Sequence, residues 1–366
     1  MVDWLAGKRV RGTSSERTPL GTALGGTGVG GWVELGRTTL GSAGDTIDVS
    51  SVPDKRYYMI LGHNITDGAG KIQSGMRFGN GSVDSGTNYS NRYSQDGGSD
   101  VIGTSQNSAY SITAGIEQDA DMFRVNYMAN LSGNEKLHLG HIVSQSSAGA
   151  ATVPIRGEAV GKWTNTSNPV DYFRSLNAEV GSYATGSELV ILGWDPDDTH
   201  TNNFWEELAS VDLSGGASDT ISSGTFTAKK YLWIQCFTGN TGGATRASLR
   251  VGNTTIDTGN NYAYRRSTNG AGDALFTSTN RIHASSGAVA DTEFTNVFII
   301  NNASNEKLAI THDVRRSTAG AGNAPTRDET VGKWTNTSNQ INIVEFFNDQ
   351  AGDFGTNTIL KVWGAD

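Results

Sequence analysis

Cysteine, proline and charge are all scarce in this 366-residue sequence. Its one cysteine, Cys236, excludes an internal disulfide framework, and its position inside an apolar run predicts a small buried side chain. Only six prolines accompany 47 glycines, a balance that predicts short strands joined by turns rather than Pro-rich disordered segments. Charged residues make up 18% of the chain, too few for long solvent-exposed helices with paired charges.

Long apolar runs are also missing. No run approaches the roughly 18 apolar residues that a membrane span requires, and residues 1–9 do not contain the apolar core of a secretory signal. The net charge of −9 argues against a nucleic-acid binder, which needs a basic surface. We therefore expect a soluble protein that is not exported by the usual secretory route, with no nucleic-acid partner and no membrane insertion.

What the sequence does contain is a long internal repeat. Residues 134–168 return as residues 305–339 at an offset of 171, without a gap, and 22 of the 35 aligned positions are identical. The octamer Gly161–Asn168 returns unchanged as Gly332–Asn339. A period near 170 is too long for a solenoid repeat and matches the size of one domain. The sequence therefore predicts two duplicated domains.

The pattern within each unit is typical of β structure. Apolar runs such as residues 57–61 and 231–234 are rich in aromatic and branched residues and are bounded by turn formers, as buried strands are. We count about eight to ten strands per unit and no helical periodicity. The prediction is an all-β chain of two tandem, duplicated jelly-roll-like β-sandwich domains behind an N-terminal extended arm. Its segments are an arm (1–31), the first sandwich (32–195), a linker (196–204) and the second sandwich (205–366).

Candidate metal ligands are weak in this sequence. His138 and His141 are three residues apart, and on a strand such residues point to opposite faces, so they cannot reach one metal without a turn. Asp195, Asp197 and Asp198 supply the oxygen ligands that calcium takes, but they lack the twelve-residue loop pattern. We interpret them as a solvated linker. No metal-binding or cofactor-binding residue is predicted.

Paired carboxylates could indicate a glycosidase, and the repeat pairs Glu158 with Glu329. Each lies two residues after an arginine, Arg156 or Arg327, so a structural ion pair or a surface charge is the favoured interpretation. No phosphate-binding loop, nucleophile elbow or dinucleotide motif is present. The chain is therefore predicted not to be an enzyme, and no catalytic residue is assigned.

The repeated octamer leaves three hypotheses open. Trp163 and Trp334 suit burial, with the indole N–H bonded to a nearby polar group. Alternatively, they could stack on a sugar ring or form a lattice or oligomer contact, together with Asn165 and Asn336. Core or interdomain packing is the favoured hypothesis.

The N-terminal segment differs in charge from the rest of the chain. It combines an apolar anchor with four positive charges and ends in a glycine-rich stretch, whereas the rest of the chain is acidic. This pattern favours an arm that docks on a neighbouring acidic surface. The predicted docking residues are Trp4, Leu5, Lys8, Arg9, Arg11 and Arg17.

The octamer, the Trp-opened strand Trp32–Leu35 and the ending Gly186–Asp195 together resemble a family. They are similar to β-rich virion structural proteins of tailed marine viruses of bacteria and archaea, whose jelly-roll modules serve as capsid decoration, head fibre or tail fibre. The resemblance implies a non-enzymatic protein of the virion surface, made in the host cytoplasm and attached to the capsid or tail shell through its arm.

Two other functions remain open alongside this one: a glycan-binding adhesin that takes a host-surface glycan, and a double jelly-roll major capsid protein. In each case we expect a homo-oligomer, with a trimer as the first prediction, because viral modules assemble with symmetry.

Overall fold

The computed structural model describes residues 31–108, 119–196, 198, 203–287, 290–317 and 319–366. Across these residues the chain forms twenty-five strands and no helix. The predicted all-β class, with two β-sandwiches, is confirmed. Residues 1–30 of the predicted docking arm lie outside the described residues.

Unit 1 contains the first twelve strands. They are β1 (Val33–Thr39), β2 (Thr46–Val49), β3 (Tyr57–Asn64), β4 (Gly75–Asn80), β5 (Ser82–Val83), β6 (Tyr89–Gln95), β7 (Val101–Gln106), β8 (Met122–Ala129), β9 (Lys136–Ser144), β10 (Ile155–Trp163), β11 (Tyr172–Leu176) and β12 (Glu188–Trp194).

Unit 2 contains the remaining thirteen strands. They are β13 (Glu206–Asp212), β14 (Thr220–Ser222), β15 (Tyr231–Thr238), β16 (Ala247–Asn253), β17 (Thr255–Ile256), β18 (Tyr262–Thr268), β19 (Ala274–Thr279), β20 (Ile282–His283), β21 (Glu293–Ile300), β22 (Lys307–Arg315), β23 (Thr326–Trp334), β24 (Ile343–Asn348) and β25 (Ile359–Ala365). Both units exceed the predicted eight to ten strands, in part because two-residue strands such as β5, β17 and β20 leave no pattern in a sequence.

The two units have the same strand order. In unit 1 a large sheet runs β1-β12-β3-β8-β9-β10-β6-β7 and a small sheet runs β2-β11-β4-β5. In unit 2 the large sheet runs β13-β25-β15-β21-β22-β23-β18-β19 and the small sheet β14-β24-β16-β17, with β20 paired to β16. Each strand of unit 1 thus has a counterpart in the same place, so the duplication extends well beyond the 35 residues of the sequence repeat.

Each unit has its own apolar core between its large and small sheets. Trp163 ends β10 and lies opposite Tyr89 of β6, and Trp334 ends β23 and lies opposite Tyr262 of β18. The two tryptophans therefore occupy equivalent places, as the repeat predicts, and so do the two tyrosines opposite them. Cys236 is buried in β15, also as predicted.

A third apolar cluster lies between the two units. It forms because the outer faces of the large sheets pack on one another, with β22 against β8 and β9, and β23 against β10. The layers therefore follow the order small, large, large, small. Strands buried on both faces read as continuous apolar runs, which is the pattern of β3 and β12. The cluster contains Met59, Leu61, Phe123, Val125, Val143, Val190 and Leu192 of unit 1, with Tyr231, Phe298, Ile300, Leu308, Ile310 and Val331 of unit 2.

Candidate functional site

Equivalent residues of the two units meet where the large sheets face each other. His141 of β9 and His312 of β22 are 171 positions apart in the sequence, and their ring centroids are 4.2 Å apart. Glu158 lies opposite His141 in the ladder of unit 1, and Glu329 lies opposite His312 in the ladder of unit 2. The repeat therefore brings its own copies together at the middle of the interface.

Arg156 is the centre of an ion network across this interface. Its side chain is almost fully buried and pairs with Glu158 of its own unit. It also reaches unit 2, where a guanidinium nitrogen lies 2.8 Å from Asp273 Oδ1 and another lies 3.1 Å from Glu329 Oε2. Arg327, the counterpart of Arg156, pairs with Glu329 at 3.2 Å but stays exposed. Each arginine thus contacts the glutamate two residues later, as the sequence predicts, whereas the link from Arg156 to unit 2 has no signal in the sequence.

The two glutamates influence each other's ionisation. Burial raises the pKa of Glu158 to about 8, its hydrogen bond to Glu329 adds to that shift, and Arg156 opposes it. Burial would also raise the pKa of Glu329, but the hydrogen bond from Glu158 and the charges of Arg327 and Arg156 outweigh it and lower that pKa. The two carboxyl groups therefore titrate as a pair, in which the proton is held more tightly on Glu158 than on Glu329.

The histidine pair is neutral over the same range. Burial lowers the pKa of His141 to about 4, with a further contribution from Arg156. Burial and the neighbouring His141 lower the pKa of His312 to about 3. Two facing imidazoles can therefore lie against each other without charge repulsion at neutral pH.

The carboxyl pair does not have the geometry of a glycosidase. Retaining and inverting enzymes hold their carboxyl groups about 5 Å or more apart, with the sugar or a water between them. Glu158 and Glu329 instead contact the same guanidinium nitrogen of Arg156, and the cavity beside them has a volume of only about 10 Å³. The network is suited to holding the units together. A cavity of about 240 Å³ beside it is lined by Val125, Tyr127, His141, Asn296, Phe298, Ile310 and His312.

Polar contacts at one end of the interface join unit 2 to a loop of unit 1. Lys333 is fully buried, and its ammonium group donates to the carbonyl oxygen of Gln145 at 3.1 Å. Glu306 accepts a hydrogen bond from the backbone N–H of Gly149 at 2.6 Å. The lysine and glutamate also lie 3.5 Å apart, so this pair is part of the surface that unit 2 presses against unit 1.

Unit 1 carries an open apolar groove on the outer face of its large sheet. The groove has a volume of about 770 Å³. Leu137 and Leu139 project from β9, and Val160 lies directly opposite Leu139 in β10. Arg92 and Lys162 add positive charge to its lining. Other apolar lining residues are Trp32, Tyr57, Ile102 and Trp194.

The surface that lines the groove is covered in unit 2. Leu137 is 57% exposed, whereas Leu308, at the same strand position, is fully buried. The other three positions of this surface are likewise exposed in unit 1 and buried in unit 2, because unit 2 packs its residues at these positions against unit 1. The groove patch consists of Tyr57, Leu137, Leu139 and Val160, and the docked patch of unit 2 consists of their counterparts Tyr231, Leu308, Ile310 and Val331.

At the other end of the large sheets, the residues of unit 1 are buried and their counterparts in unit 2 are exposed. Phe123 is 1% exposed in unit 1, and its ring lies 6.3 Å from that of Tyr231 in the docked patch, but its counterpart Phe294 is 41% exposed. Val143 is fully buried and Val314 is 43% exposed. The receiving patch of unit 1 consists of His63, Phe123 and Val143, and the open patch of unit 2 consists of Phe237, Phe294 and Val314.

The tryptophans of the octamer belong to the cores. Trp163 and Trp334 are almost fully buried, and their indole N–H groups donate to Asp84 at 2.8 Å and Asp257 at 2.7 Å. No ring face remains for a sugar, so the packing hypothesis is the one that these positions support.

The two asparagines of the octamer shape a turn. The side-chain oxygens of Asn165 and Asn336 each accept hydrogen bonds from the backbone N–H groups two and three residues later. Asn165 and Asn336 are thus engaged locally, and the identity of the octamer reflects a shared local structure.

The other sequence candidates are dispersed. His138 faces the core of unit 1, where its ring lies 5.5 Å from that of Phe78, and His141 faces unit 2, so the two point to opposite sides as predicted. Asp198 pairs with Lys55 and accepts from the backbone of Asp195. The predicted arm residues, which lie outside the described part of the chain, are Trp4, Leu5, Lys8, Arg9, Arg11 and Arg17.

The described residues form neither a cluster of metal ligands nor a membrane-spanning helix. They contain no group of three or more His, Cys, Asp or Glu side chains placed to hold a metal ion. Within the same ranges, no helix has the length and apolarity to cross a membrane.

Sequence reasoning missed the groove and the interface. One signal was available, since Leu137 and Leu139 alternate with Lys136 and His138, which predicts that one face of β9 is apolar. That alternation cannot tell which face of the strand points to the core. The face of β9 with Lys136 and His138 turned out to be the inner one.

Comparisons with known proteins add little. No protein-family model matches the chain, and no curated protein matches it. Among solved structures, domains LG4-5 of the mouse laminin alpha1 chain are similar at 8% sequence identity and a TM-score of 0.19, covering 92% of this chain and 91% of that one. A likeness at that score carries no argument about fold or function.

Proposed function

We propose that this protein is a non-enzymatic structural protein of a virus particle surface, of the capsid-decoration or fibre type, and that it acts by binding other proteins. The observation that carries the proposal is the groove patch. It is a contiguous apolar surface on a chain of low apolar content, and such surfaces mark sites of association.

The composition of the groove favours a protein partner over a sugar. Sugar sites combine an exposed aromatic ring with several hydrogen-bonding groups. The groove does contain aromatic rings, but Leu137, Leu139, Val160 and Ile102 add an aliphatic surface that offers no partner to a sugar hydroxyl. Aliphatic side chains release water when they meet other apolar side chains, and that release drives protein association. The groove is therefore suited to another folded protein surface.

The coupling of the two units supports a structural role. Their outer sheet faces are joined by an apolar layer and by the ions around Arg156. A chain joined in this way transmits load as one body, as a component of a particle shell or fibre must. The resemblance to virion structural proteins supports the particle as the place of action.

Counting copies on purified particles tests the proposal. An antibody raised against the recombinant chain is used to label particles from the source culture, and quantitative mass spectrometry gives the ratio of this chain to the main shell protein. A fixed, subordinate ratio is expected. A chain absent from particles would overturn the proposal. A few copies with measurable glycan binding would favour the adhesin, and a chain that dominates the particle would favour the major capsid protein.

A groove variant makes that experiment sharper. Leu139→Asp places a charge in the groove. Val180→Asp is the matched control, because Val180 is also an exposed aliphatic residue but lies outside the groove. Particles assembled with the first variant are expected to lose this chain, whereas those with the second keep it.

A further inference from the structure

We propose that the groove patch of one copy binds the open patch of unit 2 in a second copy, so that copies associate head to tail. The proposal rests on the proposed function in one respect, namely that the groove is a docking surface. It adds the identity of the occupant, which is another molecule of this same chain.

The first argument is that this contact already exists once within the chain. The docked patch of unit 2 packs on the receiving patch of unit 1. By strand position, the groove patch is the counterpart of the docked patch, and the open patch is the counterpart of the receiving patch. Within one chain, the docked patch and the receiving patch therefore cover each other, and their counterparts, the groove patch and the open patch, remain exposed.

The second argument is that the matching surfaces share their polar groups too. In unit 2, Lys333 and Glu306 flank the docked patch and bind the loop that follows β9. Their counterparts in unit 1 are Lys162 and Glu135, which form an exposed pair at 2.7 Å beside the groove. The groove patch thus carries the same apolar and charged groups, in the same strand positions, that unit 2 buries against unit 1.

The third argument sets the strength of the contact. The open patch is more polar around its margin than the receiving patch, because Asn296 and Lys361 of unit 2 stand where unit 1 has Val125 and Val190. The intramolecular contact also benefits from the high effective concentration that a short linker gives. Association between copies is therefore weaker than the contact within a chain, and it depends on concentration.

A contact between two different surfaces is heterologous, and it repeats from copy to copy until a ring closes or a filament grows. This arrangement differs from a two-fold dimer, in which one patch meets its own equivalent. The difference gives a decisive mixing experiment.

The experiment uses the full chain and two variants, Leu139→Asp in the groove patch and Phe294→Asp in the open patch. Both side chains are more than two-fifths exposed, so the folded monomer tolerates the change. Sedimentation velocity over a range of concentrations is expected to show association of the wild-type chain. Each variant should associate at least about a hundredfold more weakly, because the contact would bury an unpaired carboxylate.

Mixing the two variants should restore a single contact. The groove variant retains its open patch and the open-patch variant retains its groove, so an equimolar mixture should form a dimer and no larger species. Val180→Asp should associate as the wild type does. The proposal is overturned by a wild-type chain that stays monomeric at roughly 1 mM, a concentration at which even weak specific contacts form. It is equally overturned by an open-patch variant that associates normally, or by a mixture that remains monomeric.

These results are separable from those on particles. If the wild-type chain is monomeric but Leu139→Asp is lost from particles, head-to-tail association is wrong and docking on a particle stands. If the chain associates head to tail but is absent from particles, the proposed function is wrong and the self-contact stands.

Discussion

Units 1 and 2 of this chain are built alike, yet they expose opposite ends of the same sheet face. Leu137 and Val160 are exposed where Leu308 and Val331 are buried, and Val143 is buried where Val314 is exposed. The strand positions are the same, so the strand itself does not set the burial. The comparison teaches that two duplicated domains can bury one pair of matching surfaces between them. The equivalent second pair then stays exposed and can bind other molecules.

The side chains of the two exposed surfaces have diverged differently. On the open side of unit 2, polar residues such as Asn296 and Lys361 have counterparts Val125 and Val190 in unit 1. The groove patch of unit 1 is aliphatic apart from Tyr57, although water reaches it. An aliphatic surface that remains exposed favours association, which is why the groove is the surface on which both proposals rest.

The interiors differ as well. Unit 1 has Met122 and Ile142 inside its sandwich, whereas the same positions of unit 2 hold Glu293 and Asp313, with Arg315 beside them. Burial raises the pKa of Glu293 to about 7 and raises that of Asp313 well above its usual value. The core of unit 2 is thus sensitive to pH at positions where the core of unit 1 has apolar side chains.

The largest expected effect should be equal in the two units. Trp163→Ala and Trp334→Ala each remove a buried indole and its hydrogen bond to an aspartate, so each should lower the free energy of unfolding by about 4 kcal/mol. Urea denaturation of both variants measures this. If one variant lost less than about half the unfolding free energy that the other loses, the two cores would not be equivalent.

Removing Arg156 should lower the stability of the protein more than removing its counterpart Arg327. Arg156→Met leaves Asp273 buried without its main cation and should cost about 3 kcal/mol. Arg327→Met removes the exposed counterpart and should cost less than about 0.5 kcal/mol. Thermal unfolding of the two variants is the measurement, and equal losses would contradict the assignment of Arg156 as the interface cation.

A smaller stability difference is expected between two leucines at equivalent positions of the large sheets. Leu308→Ala opens a cavity in the layer between the sheets and should cost about 2.5 kcal/mol. Leu137→Ala trims an exposed side chain and should change the free energy of unfolding by less than about 0.5 kcal/mol. Chemical denaturation at low protein concentration keeps association between copies from masking the result.

The pH dependence of unit 2 should depend on Glu293. Its folded-state pKa of about 7 lies above the ordinary value of a glutamate, so the stability that it contributes is full below the ordinary pKa and is lost as pH rises through about 7. In Glu293→Gln this loss should vanish. Melting temperatures from pH 5 to 8 check it, with Glu206→Gln, at an exposed glutamate of unit 2, as the control that keeps the wild-type profile.

The smallest effect concerns the carboxyl pair at the interface. The raised pKa of Glu158 means that its contribution is full at acidic pH and is lost as pH rises through about 8. The lowered pKa values of His141 and His312 act in the other direction, since their contribution is lost as pH falls below the ordinary histidine value. Glu158→Gln should therefore flatten the fall in melting temperature towards about pH 8 and steepen the rise on the acidic side of a profile from pH 5 to 9. A flattened acidic side would contradict the assignment.

Sequence alone could predict much of the fold. The run Met59-Ile60-Leu61 identifies a strand buried on both faces, and the octamer identifies equivalent tryptophans in two domains. These are local signals, because strand alternation and turn chemistry are properties of neighbouring residues. The ion pair of Arg156 with Glu158 was predicted for the same reason, since the two lie two positions apart on one face of a strand.

The interface could not be predicted in the same way. The link from Arg156 to Asp273 joins residues 117 positions apart, and nothing near either residue indicates the other.

The sequence by itself determined the β-class, the duplication and the equivalence of the two tryptophans. Only the tertiary structure decided which half of each outer face is covered. The physical reason is that Leu137 and Leu308 are the same residue in the same local pattern, so their sequence contexts are equivalent. A single contact between unlike ends of two similar faces buries one leucine and leaves the other in water.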